Sequence, residues 1–405
     1  MKKPTVFIYV ILVCLISLTT LYKFLKVNDI TFKKDYDFGF SLKESELYKW
    51  FHAHEQSTVL STTDEPCRET GNFVFIKTHK TGSTTLRSIT SRFGYFRNLS
   101  FLLGTDTIIG HIYSIRFDWK NLKILPPIGI NPGDYANYRN YNISDVHILF
   151  EPDKMERLMN PAPDLKYISI VREPTAQWLS NFQYYKRYQA IGLTLTTLNK
   201  TLLPFLKSDD VHKLGFNRQS KDLGIGPDIL WSNSTKLLKS TLDKLKQLLS
   251  FVLITEYFDE SLVILKQIFC WSFDDILYVK KRAQPTPLVV NIETRNEIQK
   301  HNWLDAIIYE YYLEEFWKKV KDYGPTFEKD LRHFRALLKE SSDNCVEKSL
   351  VELSNDKHVY IQHYSTRNSS LFCWALVNTK FHMDMKMIQR QGRKSDKRWA
   401  GLAIH

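Results

Sequence analysis

The residues best suited to chemistry are two lysines and a run of hydroxyls within FVFIKTHKTGSTTLRSITSR, residues 73–92. Four β-prone apolar residues predict a buried strand just before Lys77, and the Ser-Thr-Thr run after Gly82 predicts the start of a helix. Free amides at a helix N-terminus and the helix dipole both favour a bound negative charge. We therefore expect a phosphate or sulfate site on this turn. Its candidate ligands are Lys77, Thr78, Lys80, Thr81, Gly82, Ser83, Thr84 and Thr85.

The turn is not a Walker A loop, because Lys80 precedes the turn's only glycine, Gly82, instead of following it. This order argues against a P-loop kinase of small metabolites. A lysine ahead of a small residue and a Ser/Thr run instead resembles the 5′-phosphosulfate loop of sulfotransferases. Those enzymes bind 3′-phosphoadenosine-5′-phosphosulfate (PAPS). An ordinary strand–loop–helix with solvated lysines is the other interpretation that this loop allows.

A second anion site is predicted further along the chain. The apolar run YISIV, residues 167–171, predicts a strand that is followed by Arg172, and Ser180 lies eight residues after Arg172 in the next predicted helix. An arginine at a strand end and a helix hydroxyl can together hold a phosphate, the arginine through two parallel hydrogen bonds. A surface pair between Arg172 and Glu173, with a buried serine, is the alternative.

Strands that alternate with helices must position these groups. A third apolar run, FVLIT at residues 251–255, precedes the polar residue Glu256 and another helix. Alternation of this kind predicts a parallel sheet with ligands at the carboxyl ends of its strands. We predict an α/β fold: a P-loop-like, three-layer α/β/α arrangement around a central parallel sheet, preceded by a single N-terminal transmembrane helix. Further helices are predicted at 154–159, 175–188, 237–249, 303–323 and 326–339.

The N-terminus predicts a membrane anchor. Residues 5–22 form an uncharged, mostly apolar run, which is close to the length of about 20 residues that a bilayer requires. No small-x-small cleavage site follows it, which favours an uncleaved signal anchor. Flanking lysines on both sides leave the orientation undecided, but glycosylation sequons after the anchor favour a lumenal body. The sequons begin at Asn98, Asn142, Asn199, Asn233 and Asn368.

The net charge bears on the kind of ligand that the protein binds, and the cysteine content bears on its disulfides. The net charge of +12 comes without zinc-finger spacing or a long basic run before the last residues, so an anionic small molecule is favoured over nucleic acid. Four cysteines follow the anchor, and they allow three complete disulfide pairings in an oxidising compartment.

We divide the chain into a cytosolic tail (1–4), the signal anchor (5–22), a stem (23–66), a globular sulfotransferase domain (67–345) and a C-terminal extension (346–405) with a flexible basic tail at 383–398.

Four blocks together resemble the membrane-bound Golgi sulfotransferases, and among them the galactose-3-O-sulfotransferase family. The resemblance covers about residues 67–345 and lies in FVFIKTHKTGSTTL (73–86), YISIVREP with Ser180 (167–180), NRQSKDLG (217–224) and VLITEYFDESLVILKQIFCWSFDDILYVK (252–280). It implies PAPS as donor and a galactose-terminated glycolipid or glycan as acceptor, sulfated at the 3-hydroxyl. It also implies a type II protein of the Golgi membrane. By position, Lys77–Thr85 would hold the 5′-phosphosulfate, and Arg172 with Ser180 the 3′-phosphate.

Other readings stay open at this stage: sulfation of another glycan hydroxyl, or a non-catalytic lumenal glycan-binding protein with the same fold. The sequence also leaves homodimer formation open. Sulfuryl transfer needs no metal, and we find no cluster of metal ligands in the sequence.

The transfer reaction needs a cation and a base. Lys80 has the position of the loop lysine of sulfotransferases, so the resemblance assigns it to neutralising the charge on the leaving phosphate. A base that titrates near neutral pH favours histidine, and His79 and His147 are the stronger candidates, ahead of His111. Family members usually carry a Cys-His-His-like cluster upstream of the strand-end arginine, and the matching run here, 145–150, retains His147 as its one histidine.

Overall fold

The structure is a computed structural model. It describes residues 46–53, 67–104, 124–131, 133–148, 150–160, 164–194, 197–230, 234–281, 287–353, 360–378 and 380–391. The predicted cytosolic tail (1–4), the predicted signal anchor (5–22) and His111 lie outside these ranges. No helix within them is both long and apolar enough to cross a membrane.

A four-stranded parallel sheet forms the centre of the fold, as the sequence predicts. The strand order is β2-β1-β3-β4. The side chains of β1 are wholly buried, which fits a parallel sheet covered on both faces. Strand β2 was not predicted, because only two residues pair and they lie within the polar run NISD. The strands are β1 (Phe73–Ile76), β2 (Ile143–Ser144), β3 (Lys166–Val171) and β4 (Leu249–Ile254).

Helices follow the strands closely, so each of three strand ends faces a helix start. The remaining described helices surround these units, and short 3₁₀ turns lie at Tyr135–Asn137, Asp209–Leu214 and Thr255–Tyr257. The α-helices are α1 (Glu46–Ala53), α2 (Ser83–Phe96), α3 (Pro152–Leu158), α4 (Pro174–Tyr184), α5 (Arg187–Ala190), α6 (Leu198–Leu206), α7 (Arg218–Asp222), α8 (Pro227–Leu230), α9 (Thr235–Leu248), α10 (Phe258–Phe269), α11 (Phe273–Ile276), α12 (Ile292–His301), α13 (Trp303–Tyr323) and α14 (Phe327–Cys345).

Helix α2 continues past Gly94 and ends at Phe96. A Cβ on Gly94 would lie 2.4 Å from the Cδ1 atom of Ile143 and 2.5 Å from the ring of Phe101. The glycine therefore permits a close approach between α2 and β2, and it does not terminate the helix. The predicted helix 175–188 is instead interrupted after Tyr184, because Lys186 adopts a left-handed backbone with φ of 48°.

The described residues after 345 are folded, and the prediction of a flexible tail at 383–398 is wrong for 383–391. They contain an antiparallel hairpin and two helices, and helix α16 buries Met383, Met385 and Met387. The Gln391 side chain bonds both backbone groups of Phe101. The elements are β5 (Val346–Leu353), β6 (Tyr360–Thr366), α15 (Leu371–Val377) and α16 (Lys380–Gln391).

A buried ion pair joins this segment to the sheet region. Arg87 on α2 is 1% exposed, and its Nη2 atom lies 2.8 Å from a carboxylate oxygen of Asp384 on α16. The Nε atom of Arg87 donates to Asp145, 3.0 Å away, just after β2. Burial alone would lower the pKa of Arg87, but the two carboxylates raise it above its ordinary value. One side chain thus connects α2, the end of β2 and the C-terminal helix.

Two disulfides select one of the three possible pairings. Cys67 is bonded to Cys270, and Cys345 is bonded to Cys373. The first closes a loop of 203 residues at the start of the described globular part. The second fixes the C-terminal hairpin and α15 to the end of α14.

Candidate active site

A cleft of about 800 Å³ lies at the carboxyl ends of the strands. Residues that follow each of the four strands line it, in agreement with the rule for ligand sites in parallel sheets. Most of the predicted site residues meet there. They are Lys77, His79, Lys80, Gly82, Ser83, Thr84, Thr85, His147, Arg172 and Ser180.

The turn after β1 is held by its own hydroxyls. Thr78 and Thr81 are fully buried, their Oγ1 atoms lie 2.8 Å apart, and Thr78 also donates to the carbonyl of Ile170 in β3. Ser83 donates to the Thr78 carbonyl at 2.6 Å and accepts from Lys77 Nζ at 2.9 Å. The hydroxyls of Thr78 and Thr81 therefore stabilise the turn from inside and are not among the groups that line the cleft.

Lys80 and Gly82 give the turn its shape. Both have left-handed backbones, with φ of 62° and 76°, and Gly82 is the N-cap residue of α2. Arg172 Nη1 donates to the Lys80 carbonyl at 3.1 Å. The ammonium of Lys80 lies 3.5 Å from the centre of the Tyr184 ring. The turn thus presents the free amides of a helix N-terminus beside a lysine and an arginine.

Arg172 and Ser180 lie where the sequence placed them, one after a strand next to β1 and the other on helix α4. The alternative prediction for Glu173 was a surface pair with Arg172, but Glu173 instead caps the N-terminus of helix α4. Its carboxylate accepts from the backbone amides of Thr175 and Ala176 and pairs with Arg295 at 3.0 Å.

Glu256, the polar residue that follows β4, lines the cleft. Its carboxylate accepts from the Glu173 amide at 3.0 Å and from the Tyr309 hydroxyl at 3.3 Å. It therefore connects the ends of two neighbouring strands.

The two favoured histidines stack on each other, with ring centres 4.1 Å apart. His147 Nδ1 lies 3.1 Å from the carbonyl oxygen of Lys77. Because a carbonyl oxygen only accepts, Nδ1 must carry the hydrogen, which leaves the lone pair of the neutral ring on Nε2.

The position of His79 is fixed by contacts with Asp222 and Arg218. Its backbone amide and its Nδ1 atom both lie 2.7 Å from one oxygen of Asp222, and Arg218 Nη2 lies 3.1 Å from its Nε2. Burial lowers the pKa of His79, and the charges of Arg218 and Lys77 act in the same direction, against an opposing effect of Asp222.

Sequence reasoning assigned no role to helix α7, which contacts residues of both predicted anion sites. On α7, the Gln219 side chain exchanges two hydrogen bonds with the backbone of Arg172, at 2.8 and 2.9 Å. Three residues later, Asp222 fixes His79. Both residues lie in the block NRQSKDLG, so the family resemblance was the available signal. Gln177 on α4 adds a third support, since it donates to the His79 carbonyl at 2.8 Å.

A model of the galactose-3-O-sulfotransferase family matches residues 39–390. The chain belongs to the galactose-3-O-sulfotransferase family. The match extends beyond the 67–345 covered by the blocks quoted above, and it reaches α16 of the C-terminal segment. Within the described residues, no group of three or more His, Cys, Asp or Glu side chains is placed to hold a metal ion.

Relatives within this family carry names that state their acceptors. Galactosylceramide sulfotransferase of Bos taurus is 30% identical over 268 residues, which is 64% of this chain and 60% of that protein. The Homo sapiens protein of the same name is 29% identical over 267 residues, again 64% and 60% of the two chains. Galactose-3-O-sulfotransferase 3 of Mus musculus is 30% identical over 273 residues, with the same two shares. The matched region is thus about 60% of the length of these relatives.

Proposed function

We propose that this chain is a PAPS-dependent carbohydrate sulfotransferase. It transfers the sulfuryl group to a hydroxyl, the 3-hydroxyl in this proposal, of a terminal galactose on a glycolipid or glycan. The observation that carries the proposal is the convergence of two anion sites in one cleft, Lys77–Thr85 and Arg172 with Ser180, in a member of this family. We also propose the three-layer, P-loop-like description of the fold, which rests on the helix placed after each of β1, β3 and β4.

The cleft residues fit an anionic nucleotide donor. The amides at the start of α2, including that of Ser83, would hold the 5′-phosphate together with the Thr84 hydroxyl, and Arg172 with Ser180 would hold the 3′-phosphate. When bound, the donor supplies a sulfuryl group on a phosphate leaving group. Lys80 is the cation that we assign to the leaving oxygens, where negative charge increases.

We assign the general base to His147. The acceptor oxygen forms the new bond to sulfur, the bond from sulfur to the phosphate oxygen breaks, and the acceptor proton passes to His147 Nε2. The hydrogen bond from Nδ1 to the Lys77 carbonyl supports this choice, because it turns the basic nitrogen away from the backbone. His79 has its Nδ1 on Asp222 and Arg218 beside its Nε2, so we assign it to the electrostatics of the donor loop.

Transfer of radiolabelled sulfate from PAPS to a panel of β-galactosides, both lipid-linked and soluble, tests the function. We expect labelled galactoside with the full-length protein made in animal cells. Binding of adenosine 3′,5′-bisphosphate without any transfer would favour the glycan-binding alternative. Absence of nucleotide binding would contradict the assigned donor site itself.

Arg172→Ala should raise the KM for PAPS more than it lowers turnover. The 3′-phosphate is remote from the transferred group, so it is bound similarly in the ground and transition states. Arg172→Lys should restore donor affinity only in part, because an ammonium cannot reproduce the two-pronged contact of a guanidinium. Initial rates at varied concentrations of PAPS and of acceptor give turnover and the KM for each substrate. If donor KM stayed constant while acceptor binding was lost, our placement of the donor would be wrong.

We propose that the protein is anchored in the Golgi membrane with a type II topology and a lumenal body. The two disulfides and the sequons support this proposal. Asn98 and Asn368 are exposed, whereas the Asn142 amide donates to Asn72 at 2.7 Å, and its oxygen accepts from the Ser100 amide at 2.9 Å.

An N-glycosidase should therefore reduce the mass of protein made in animal cells. Asn98→Gln and Asn368→Gln should each remove one glycan, because these side chains are exposed and therefore accessible to the enzyme that attaches N-glycans. Asn142→Gln should leave the glycan mass unchanged, since its amide is engaged within the fold. Electrophoresis before and after glycosidase treatment measures each shift. No shift in the wild-type protein would contradict the lumenal orientation.

A further inference from the structure

The backbone of Lys80 is fixed from several sides. Arg172 donates to the Lys80 carbonyl at 3.1 Å, and Gln177 donates to the preceding carbonyl, that of His79, at 2.8 Å. The left-handed φ of 62° adds a conformation that few non-glycine residues adopt. The Cα atom therefore has little freedom, and the position of the ammonium depends on its side-chain torsions and on what it contacts.

The Lys80 ammonium contacts an aromatic ring. Nζ lies 3.5 Å from the centre of the Tyr184 ring, well inside the range of about 6 Å for an attractive cation–π interaction. Lys77 and Arg172 line the same cleft and add two further positive charges to it. The negative face of a neutral ring attracts a cation without cancelling the positive field that draws in an anionic donor.

Tyr184 also lies on the helix face that the donor would touch. It follows Ser180 by four residues on α4, and residues at that spacing lie one above the other on a helix. Both side chains line the cleft. The same helix face therefore carries the hydroxyl assigned to the 3′-phosphate and the ring that holds the loop lysine.

We propose that Tyr184 is a positioning residue for Lys80, whose ring retains the ammonium in the cleft until the anionic donor binds. This inference rests on the proposed function only in its kinetic consequence, because the contact itself can be measured without turnover. The ring face performs the role, and the phenol hydroxyl has no part in it.

Kinetics of matched variants test the proposal. Tyr184→Leu should lower turnover roughly tenfold, within the range that a cation–π contact supports, and Tyr184→Phe should stay within about twofold of wild type. Phe96→Leu is the control, since Phe96 is an aromatic residue that is 42% exposed and is not among the residues that line the cleft. In a Lys80→Ala background, Tyr184→Leu should have no further effect, because the partner of the ring is already absent. An equal loss in both backgrounds would reduce Tyr184 to a structural residue and overturn the proposal.

A spectroscopic measurement separates this proposal from the proposed function. Reductive methylation of the full-length protein with ¹³C-formaldehyde keeps the lysine charge, and the Lys80 signal is assigned by its loss in Lys80→Arg. We expect that signal to be shifted upfield by the Tyr184 ring in wild type and Tyr184→Phe, and to be unshifted in Tyr184→Leu. An unshifted wild-type signal would refute the positioning role. A shifted signal in a protein without sulfuryl transfer would preserve the contact and refute the function.

Discussion

Lys80→Ala should lower turnover at least about a hundredfold, the scale of losing one donor that stabilises transition-state charge. The Lys80 ammonium lies in the cleft, 3.5 Å from the centre of the Tyr184 ring. In the proposed mechanism, the charge that Lys80 neutralises grows only as the bond to the leaving phosphate breaks, so the loss should fall on turnover more than on the KM for PAPS. Initial-rate measurements with radiolabelled PAPS give both parameters.

Lys186→Ala is a matched control for this change. Lys186 also has a left-handed backbone, with φ of 48°, and it lies two residues beyond α4. Both substitutions remove a lysine from a similarly strained position, but only Lys80 lines the cleft. We expect near wild-type turnover for Lys186→Ala. A folded Lys80→Ala protein with the same turnover as this control would exclude Lys80 from the mechanism.

Arg87→Leu should lower the free energy of unfolding by about 3–5 kcal/mol, because it removes the partner of two buried carboxylates. Asp145, whose side chain is fully buried, and Asp384, whose side chain is 12% exposed, would both lose the charge that compensates them. Urea unfolding at neutral pH, with the disulfides intact, measures the loss.

Arg97→Leu serves as the comparison. Arg97 follows α2 and pairs with Glu69 and Asp275, but its side chain is 29% exposed. Exposed pairs of this kind contribute at most about 1 kcal/mol. Equal destabilisation by the two substitutions would show that burial of the Arg87 pairs contributes little. It would also weaken the view that α16 belongs to the folded unit.

The sequence predicted the parts of the site that follow from local patterns. Apolar runs of strand length located β1, β3 and β4, and polar residues at their ends located Lys80, Arg172 and Glu256. These features are encoded within a few consecutive residues, so hydrophobic pattern and turn chemistry were sufficient.

Features that depend on distant contacts were not predicted. Two residues of β2 pair with β1, α2 approaches Ile143 closely at Gly94, and nothing in the run NISD indicates a strand. Asp222 carries no sign of its role until the fold places it beside His79, 143 residues earlier in the chain. The fold of 383–391 depends in the same way on the pairing of Asp384 with Arg87.

The bond between Cys67 and Cys270 encloses all four strands of the central sheet within one covalent ring. A protease that cut once inside this ring, for example after Lys207, whose side chain is 51% exposed, would separate β3 from β4 along the chain. The two fragments would nevertheless stay joined through sulfur. Nicked protein would therefore migrate as a single band on a denaturing gel and would divide into two only after a reductant was added.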